Sequence, residues 1–315
     1  MATHSLCEPL IIAAVEQAAS AHRGSSWHTS GFTDLNDRAA HPSGVLHGAP
    51  FSVFAKLTYA ADGREQFTAE LKGLKLITRR AGVRTPTPVA AGIVRAGTGW
   101  LLLTEALPER AGDARTREDF HAIGHSLATM HQVTAERFGL AEFNGYFGPF
   151  FQDNRPVSTN RLADFYAERR VRPMLRRAVD SGSLPADLAG RVERLTERLT
   201  EQLPDLSGYE PQPSLLHGDA QQNNFICAPG GAVVIDAAPY FGPPEIDLAL
   251  LDYFEPISPA VFEAYREIRP IDDGFDGRRE LWRVFSYLAV ITGGGQDPIG
   301  RQFTVRLAEA LRRYL

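Results

Sequence analysis

The stretch Leu215-Leu216-His217-Gly218-Asp219-Ala220-Gln221-Gln222-Asn223-Asn224, answered by Val233-Val234-Ile235-Asp236, constrains this chain more than any other part of it. Both pieces read as apolar strand ends that deliver acidic and amide oxygens. Pro211 and Pro213 precede the first piece and Gly230-Gly231 separates the two, so the context is strand, loop, short strand, turn, strand. Asn224 follows Asp219 by five residues, and Asp236 comes twelve further on, across a turn. This set suits phosphoryl transfer: one carboxylate accepts a hydroxyl proton, while an amide and a second carboxylate hold magnesium on a nucleotide. Taken singly, each residue also fits an ordinary turn rich in Asp and Asn. The ordered combination of His-Gly-Asp, Asn and Ile-Asp favours the chemical reading.

Composition narrows the setting. The 315 residues are enough for two lobes with their own cores, and 43% apolar with 23% charged residues is an ordinary globular balance. A net charge of -5 argues against a nucleic-acid partner bound by phosphate neutralisation; it is the motif, not the charge, that points to a small-molecule substrate. Cys7 and Cys227 are the only cysteines, without disulfide or metal spacing, which predicts a reducing, cytoplasmic setting. The apolar run Leu10 to Val15 lies between Glu8 and Glu16 with no basic leader, so it reads as a first helix and not a signal peptide. No apolar run approaches membrane-spanning length.

Taken in order, residues 8–20 read as an amphipathic helix, then His28 to Leu35, Gly44 to Leu46 and Phe51 to Leu57 as strands. The loop Asp37 to Gly44 between the first two carries Arg38, His41 and Pro42. Gln66 to Arg80 has helical periodicity through Phe67, Leu71, Leu74 and Ile77, and two strands follow, Thr87 to Val94 and Trp100 to Thr104. Of the 33 basic residues only Lys56, Lys72 and Lys75 are lysines. Lys56 ends an apolar strand, where a lysine commonly snorkels to water. Glu70, fourteen residues on, sits in the following helix. Set beside the Asp219 cluster, the two read as the phosphate-holding pair of a kinase-like lobe.

Leu101 to Leu107 reads as the last strand running into a hinge, after which the pattern is helical. Thr116 and Asp119 form a capping-box start, and His131 reads as a core or capping histidine. Residues 136–158 form an aromatic, irregular stretch. Asn160 to Asp180 is a helix with a kink expected at Pro173 and an outer face of Arg169, Arg170, Arg172, Arg176 and Arg177. Leu184 to Leu203, Glu245 to Tyr253, Pro259 to Ile268, Arg278 to Ile291 and Gly300 to Leu315 complete a helical half. The fold expected is α+β and bilobal: residues 1–105 as a nucleotide-binding lobe with a small antiparallel sheet and one inserted helix, 106–315 as a catalytic and substrate lobe.

His217-Gly218-Asp219, Asn224, Ile235-Asp236 and Glu245-Ile246-Asp247-Leu248-Ala249 resemble the aminoglycoside-phosphotransferase-like kinases, and among them the fructosamine (ketosamine) 3-kinase family. The distinguishing stretches are Phe67 to Leu74, Phe138-Gly139 with Asn144 to Gly148, Phe165 to Pro173, and Gly274 to Tyr287. The resemblance implies a protein-kinase-like fold using ATP and Mg2+. It implies Asp219 as the base, Asn224 and Asp236 as metal ligands, and Lys56 with Glu70 as the phosphate-positioning pair. Glu105 to Leu107 would be the hinge whose backbone meets adenine, and Asp247 would hold the catalytic loop.

Three departures stand out. The family usually has Leu-Trp-Ser-Gly between the Asp and the Asn; here Ala220, Gln221, Gln222 and Asn223 replace them, so an amide faces the substrate where an indole is expected. Asp34 to Gly44 stands where the family has a short glycine-rich hairpin, and the hairpin cysteine is missing, so redox control through it is not expected. The functional reading is an ATP-dependent kinase for a hydroxyl of a ketosamine. A kinase for another hydroxylated amine or an antibiotic-like metabolite is the alternative that Gln221 favours, and a non-catalytic nucleotide-binding scaffold is a third.

Overall fold

Val53, Ala55 and Leu57 are buried in one apolar cluster with Ile11 and Val15 of the first helix, and this alternation organises the N-terminal sheet. The computed structural model describes residues 4–36, 41–207 and 209–315, with the side chains of 202–207 outside the description. Asp37 and Arg38 of the expected connecting loop therefore lie outside the described residues. The chain divides into two units, Met1–Arg115 with Ile226–Asp236, and Thr116–Phe225 with Ala237–Leu315.

In the first unit, α1 (Pro9–Arg23) precedes β1 (Gly31–Asp34), β2 (Ser43–His47) and β3 (Val53–Thr58). Then come α2 (Gly63–Ala81), β4 (Val94–Ala96) and β5 (Gly99–Glu105). The five strands make one antiparallel sheet, ordered β1-β2-β3-β5-β4. Leu101 and Leu103 join the α1 cluster, whereas Leu102 packs with Phe67 and Leu71 of α2. Successive strand residues face opposite sides, so α1 covers one face and α2 the other.

The strand expected at Thr87 to Val94 is mostly not one. Val89 N–H donates to the Leu103 carbonyl and Glu105 N–H to that of Thr87, but the described strand begins only at Val94. Pro86 and Pro88 supply no N–H, so a continuous ladder cannot form there.

The second unit opens with α3 (Arg117–His131), whose Thr116 and Asp119 form the expected capping box. The aromatic stretch contains a hairpin, β6 (Gly145–Phe147) with β7 (Phe150–Gln152). The helix expected over 160–180 is α4 (Leu162–Tyr166), a wide π turn at Ala167–Val171, and α5 (Arg172–Asp180), with Pro173 in the first turn of α5, where its missing N–H is tolerated. After α6 (Ala186–Ser207) comes β8 (Ser214–Leu215). The hairpin of β9 (Phe225–Ala228) and β10 (Gly231–Val234) comes next in the chain and, from Ile226 to Asp236, belongs to the first unit; the second unit resumes with β11 (Phe241–Gly242), antiparallel to β8. Helices α7 (Glu245–Leu250), α8 (Ala260–Ile268), α9 (Phe275–Trp282), α10 (Val284–Gly294) and α11 (Pro298–Tyr314) complete the unit. α3 and α8 pack at backbone range: a Cβ on Gly124 would stand 2.2 Å from the Val261 carbonyl oxygen.

Arg170 does not belong to the outer arginine face. It is 1% exposed, donates to the Asp153 carbonyl at 3.0 Å and to Asn154 Oδ1 at 2.7 Å, and lies 4.0 Å from the centre of the Tyr240 ring. A guanidinium is weakly hydrated and stacks well, which lets it serve as a buried strut where a lysine would not.

Candidate active site

Because Val53, Ala55 and Leu57 face α1, Lys56 emerges on the opposite side of β3, the side α2 covers. Opposite it in the ladder is Leu102. On α2, Glu70 lies one turn from both Phe67 and Leu74, on the sheet-facing stripe. Geometry therefore dictates the pairing: Lys56 Nζ donates to Glu70 Oε1 at 2.9 Å, and it also donates to Asp236 Oδ1. Lys56 is 4% exposed, which decides against a snorkelling strand lysine. Asp236 sits two residues past β10 with φ 54°, a left-handed conformation that aspartate tolerates better than most residues.

Two carboxylates thus compete for one ammonium. Burial alone would push Lys56 down, but Asp236 and Glu70 outweigh it and hold the ammonium above its ordinary range. Burial pushes the Glu70 carboxyl up to about 7; the Asp236 charge adds to this, and Lys56 opposes it. His41 belongs to the same neighbourhood. It hydrogen-bonds Gln66 at 3.0 Å and meets the Phe67 ring edge-on, and burial, then the Lys56 charge, holds it below its ordinary value.

In the second unit, the His217-Gly218-Asp219 segment expected to be catalytic is fixed through backbone amides. Asp247 on α7 accepts from His217 N–H at 2.6 Å and from Gly218 N–H at 3.0 Å. The same carboxylate meets His131 Nε2 at 3.1 Å, and His131 Nδ1 meets the Tyr265 hydroxyl at 2.8 Å. His131 is fully buried, and burial lowers it although Asp247 opposes the shift, so it is the core histidine expected. Gly218 has φ 83°, and a Cβ there would stand 2.1 Å from the Ala238 carbonyl oxygen, so no other residue fits without displacing backbone.

Beyond this anchor the segment turns, and the side chains bond one another. Asn224 Nδ2 donates to the Asp219 carbonyl at 2.8 Å, which spends the amine end of that amide and leaves its oxygen as the end able to meet a cation. Gln221 does not simply face outward, since its Nε2 donates to Asp219 Oδ1 at 2.7 Å. Of the residues expected as the hinge, Glu105 ends β5 and Ala106 and Leu107 follow it. Glu105 N–H is spent on Thr87 and Ala106 N–H on the Ser52 carbonyl, while the Glu105 carboxylate meets His22 Nε2 at 3.0 Å.

Sequence reasoning gave no role to Glu245, Arg278 or Trp282. Glu245, 2% exposed at the start of α7, accepts from Arg278 Nε at 2.9 Å, Arg278 Nη2 at 2.7 Å and Trp282 Nε1 at 2.7 Å. This bidentate pair ties α9 to the helix that carries Asp247. Glu245 and Asp247 two residues apart, both acidic at a helix start, were the signal available.

The model of the fructosamine kinase family matches residues 11–302 of this chain. The chain belongs to that family. It is therefore a phosphotransferase acting on hydroxyl groups, of the ketosamine kinase type. It is similar to a probable ketoamine kinase of Klebsiella aerogenes, 32% identical over 278 residues that span 86% of this chain and 92% of the relative. It is likewise similar to a probable ketoamine kinase of Escherichia coli, 30% identical over 85% of this chain and 92% of that one. A crystal structure described as a fructosamine-3-kinase from Thermobifida fusca has a TM-score of 0.77 at 30% identity, covering 95% of this chain and 98% of that one. An aminoglycoside phosphotransferase has a TM-score of 0.62 at 13% identity over 96% and 99%, a likeness of fold. The α+β, bilobal kinase-like architecture expected from the sequence is the one found.

Proposed function

We propose that this family member transfers the γ-phosphoryl group of ATP to a hydroxyl of a fructosamine-type ketosamine, with Mg2+ as the cofactor. The observation that carries the reading is the Lys56 ammonium, buried and held charged by Glu70 and Asp236. A lysine so enclosed is not a solubilising charge; it is suited to holding nucleotide phosphates. Similar proteins point the same way, among them those named probable ketoamine kinases of Klebsiella aerogenes and Escherichia coli. Crystals of a distantly similar aminoglycoside phosphotransferase contain AMP-PNP.

Within this proposal Asp219 orients the acceptor hydroxyl and takes its proton, Lys56 holds the nucleotide phosphates, and Glu70 keeps Lys56 in place. Asn224 Oδ1 and the Asp236 carboxylate are the hard oxygen donors that would hold magnesium, and their chemistry fits that ion. Bound there, it would offset phosphate charge as transfer proceeds. The Glu105 and Ala106 amides are already spent, so Leu107 N–H and the Glu105 carbonyl are the backbone groups proposed for adenine. Nucleotide binding is assigned to residues 1–105, and catalysis with substrate selection to 106–315.

The test is ATP consumption by the purified chain against fructosamines, aminoglycosides and free sugars. Turnover on ketosamines above the other classes is the expected result. Preference for an aminoglycoside, or no turnover on any ketosamine, overturns it.

A further inference from the structure

His121 and His125 stand one turn apart on α3, so both rings leave the same face of that helix, their centres 4.2 Å apart. From α8, Glu267 brings one carboxylate oxygen to each ring: His121 Nε2 lies 3.0 Å from Oε1, and His125 Nε2 lies 2.7 Å from Oε2. The three ligand-type atoms all lie within 4.8 Å of one another. Both histidines are 39% exposed and Glu267 53%, so ions in solution can reach them. The two helices are held at backbone contact by Gly124, which lies between the two histidines in sequence. The donors are thus presented by a rigid frame and not by a loop.

We propose that His121, His125 and Glu267 form a site for one divalent transition metal of the zinc, nickel or copper class, which clamps α3 to α8. The donor set decides the class. Two imidazoles with one carboxylate suit borderline ions, whereas magnesium and calcium prefer all-oxygen surroundings. Metal–nitrogen and metal–oxygen distances of about 2.0–2.2 Å require only small rotations about the side-chain bonds of these three residues. To bind the ion each imidazole presents an unprotonated Nε2, any proton there moving to Nδ1 or being released to solvent, and water completes the coordination. None of the three residues has a role in the proposed phosphoryl transfer, so the site is a structural clamp.

The experiment uses the full chain without a polyhistidine tag, stripped of metal by chelation, with ZnCl2 as titrant in calorimetry. One equivalent of zinc should bind, raising the thermal midpoint. With Cu2+, electron paramagnetic resonance should show coupling to two imidazole nitrogens. His121→Ala/His125→Ala should lose zinc affinity by roughly 100-fold or more, since loss of even outer partners costs 10–100-fold, while its ketosamine kinase turnover in magnesium and ATP stays unchanged. If the double variant does not fold, His125→Gln keeps the volume and a donor to Glu267, and should show one nitrogen coupling in place of two. Zinc affinity unchanged in either variant, which would move the ion to Cys7, Cys227 or another histidine, overturns the proposal. So does the failure of the wild-type chain to bind zinc at millimolar concentration.

Discussion

Gln221 donates its side-chain amide to Oδ1 of Asp219 across 2.7 Å. The residue expected to face the acceptor thus also occupies one oxygen of the proposed base. An amide can orient a carboxylate and hydrogen-bond a polar acceptor, but it offers no aromatic face to a sugar ring. Gln221→Trp should therefore reorder the acceptors that are phosphorylated while leaving ATP affinity within a few-fold. An acceptor panel at saturating ATP, run on both proteins, checks this; the same ranking from both would remove Gln221 from substrate selection.

Asp219→Asn keeps the shape of the side chain and removes its charge. The Asp219 carbonyl, which receives Asn224 Nδ2, is untouched. ATP binding, read by calorimetry, should persist, while turnover on every acceptor falls by roughly two orders of magnitude or more, typical of losing a catalytic proton acceptor. Residual turnover near the wild-type value would show that Asp219 is not the base.

Lys56→Met retains an apolar stem in a slot that is 4% exposed, so the fold should survive. Turnover should drop by roughly 100-fold or more, the scale of losing one preorganised charge in the transition state. A variant that turns over normally would make Lys56 a structural lysine.

The pH dependence of stability should carry the mark of Glu70, whose carboxyl is pushed up to about 7 by burial and by Asp236. The unfolded chain releases that proton near an ordinary carboxylate value of about 4.3. Between those values the folded state holds a proton that the unfolded state does not, so stability contributed here falls as pH rises through the window. Lys56 is shifted upward from an already high value and does not titrate there. Differential scanning calorimetry from about pH 5 to 8 should show wild type losing more stability with rising pH than Glu70→Gln. Parallel curves would contradict the raised value.

Asp236→Ala removes one proposed magnesium ligand and one partner of Lys56. The thermal shift produced by ATP should lose its magnesium dependence in this variant, whereas wild type should show a larger shift with magnesium than without. A shift unchanged by the substitution would reassign the metal.

What could be read from the sequence was what rests on short-range rules. The period-two alternation around Lys56, the helical stripe carrying Glu70 and the capping box at Thr116 and Asp119 are local patterns, and each is present. Arg170 was not legible. Among five arginines along one helix nothing local marks the one that turns inward; its place is set by Asn154 and Tyr240, far away in sequence. The Gln221 contact was hidden for a different reason, because an amide two residues after a carboxylate can point either way until the turn between them is known. The run Thr87 to Val94 carries the β-branched residues of a strand, but Pro88 within it and Pro86 just before it cannot donate to a ladder, so the described strand starts only at Val94.

His217 and Gly218 lie on a loop, yet their amide hydrogens point at a carboxylate with no solvent exposure. In deuterium oxide such hydrogens exchange only when Asp247 is withdrawn, which requires opening the packed helices that also hold His131 and Tyr265. These two loop amides should therefore exchange on the slow timescale of the surrounding helices, unlike amides of an ordinary surface turn. Heating should take away this anchored arrangement and the fold of the unit together, with no intermediate interval in which the unit is folded but the segment before Asp219 has come loose.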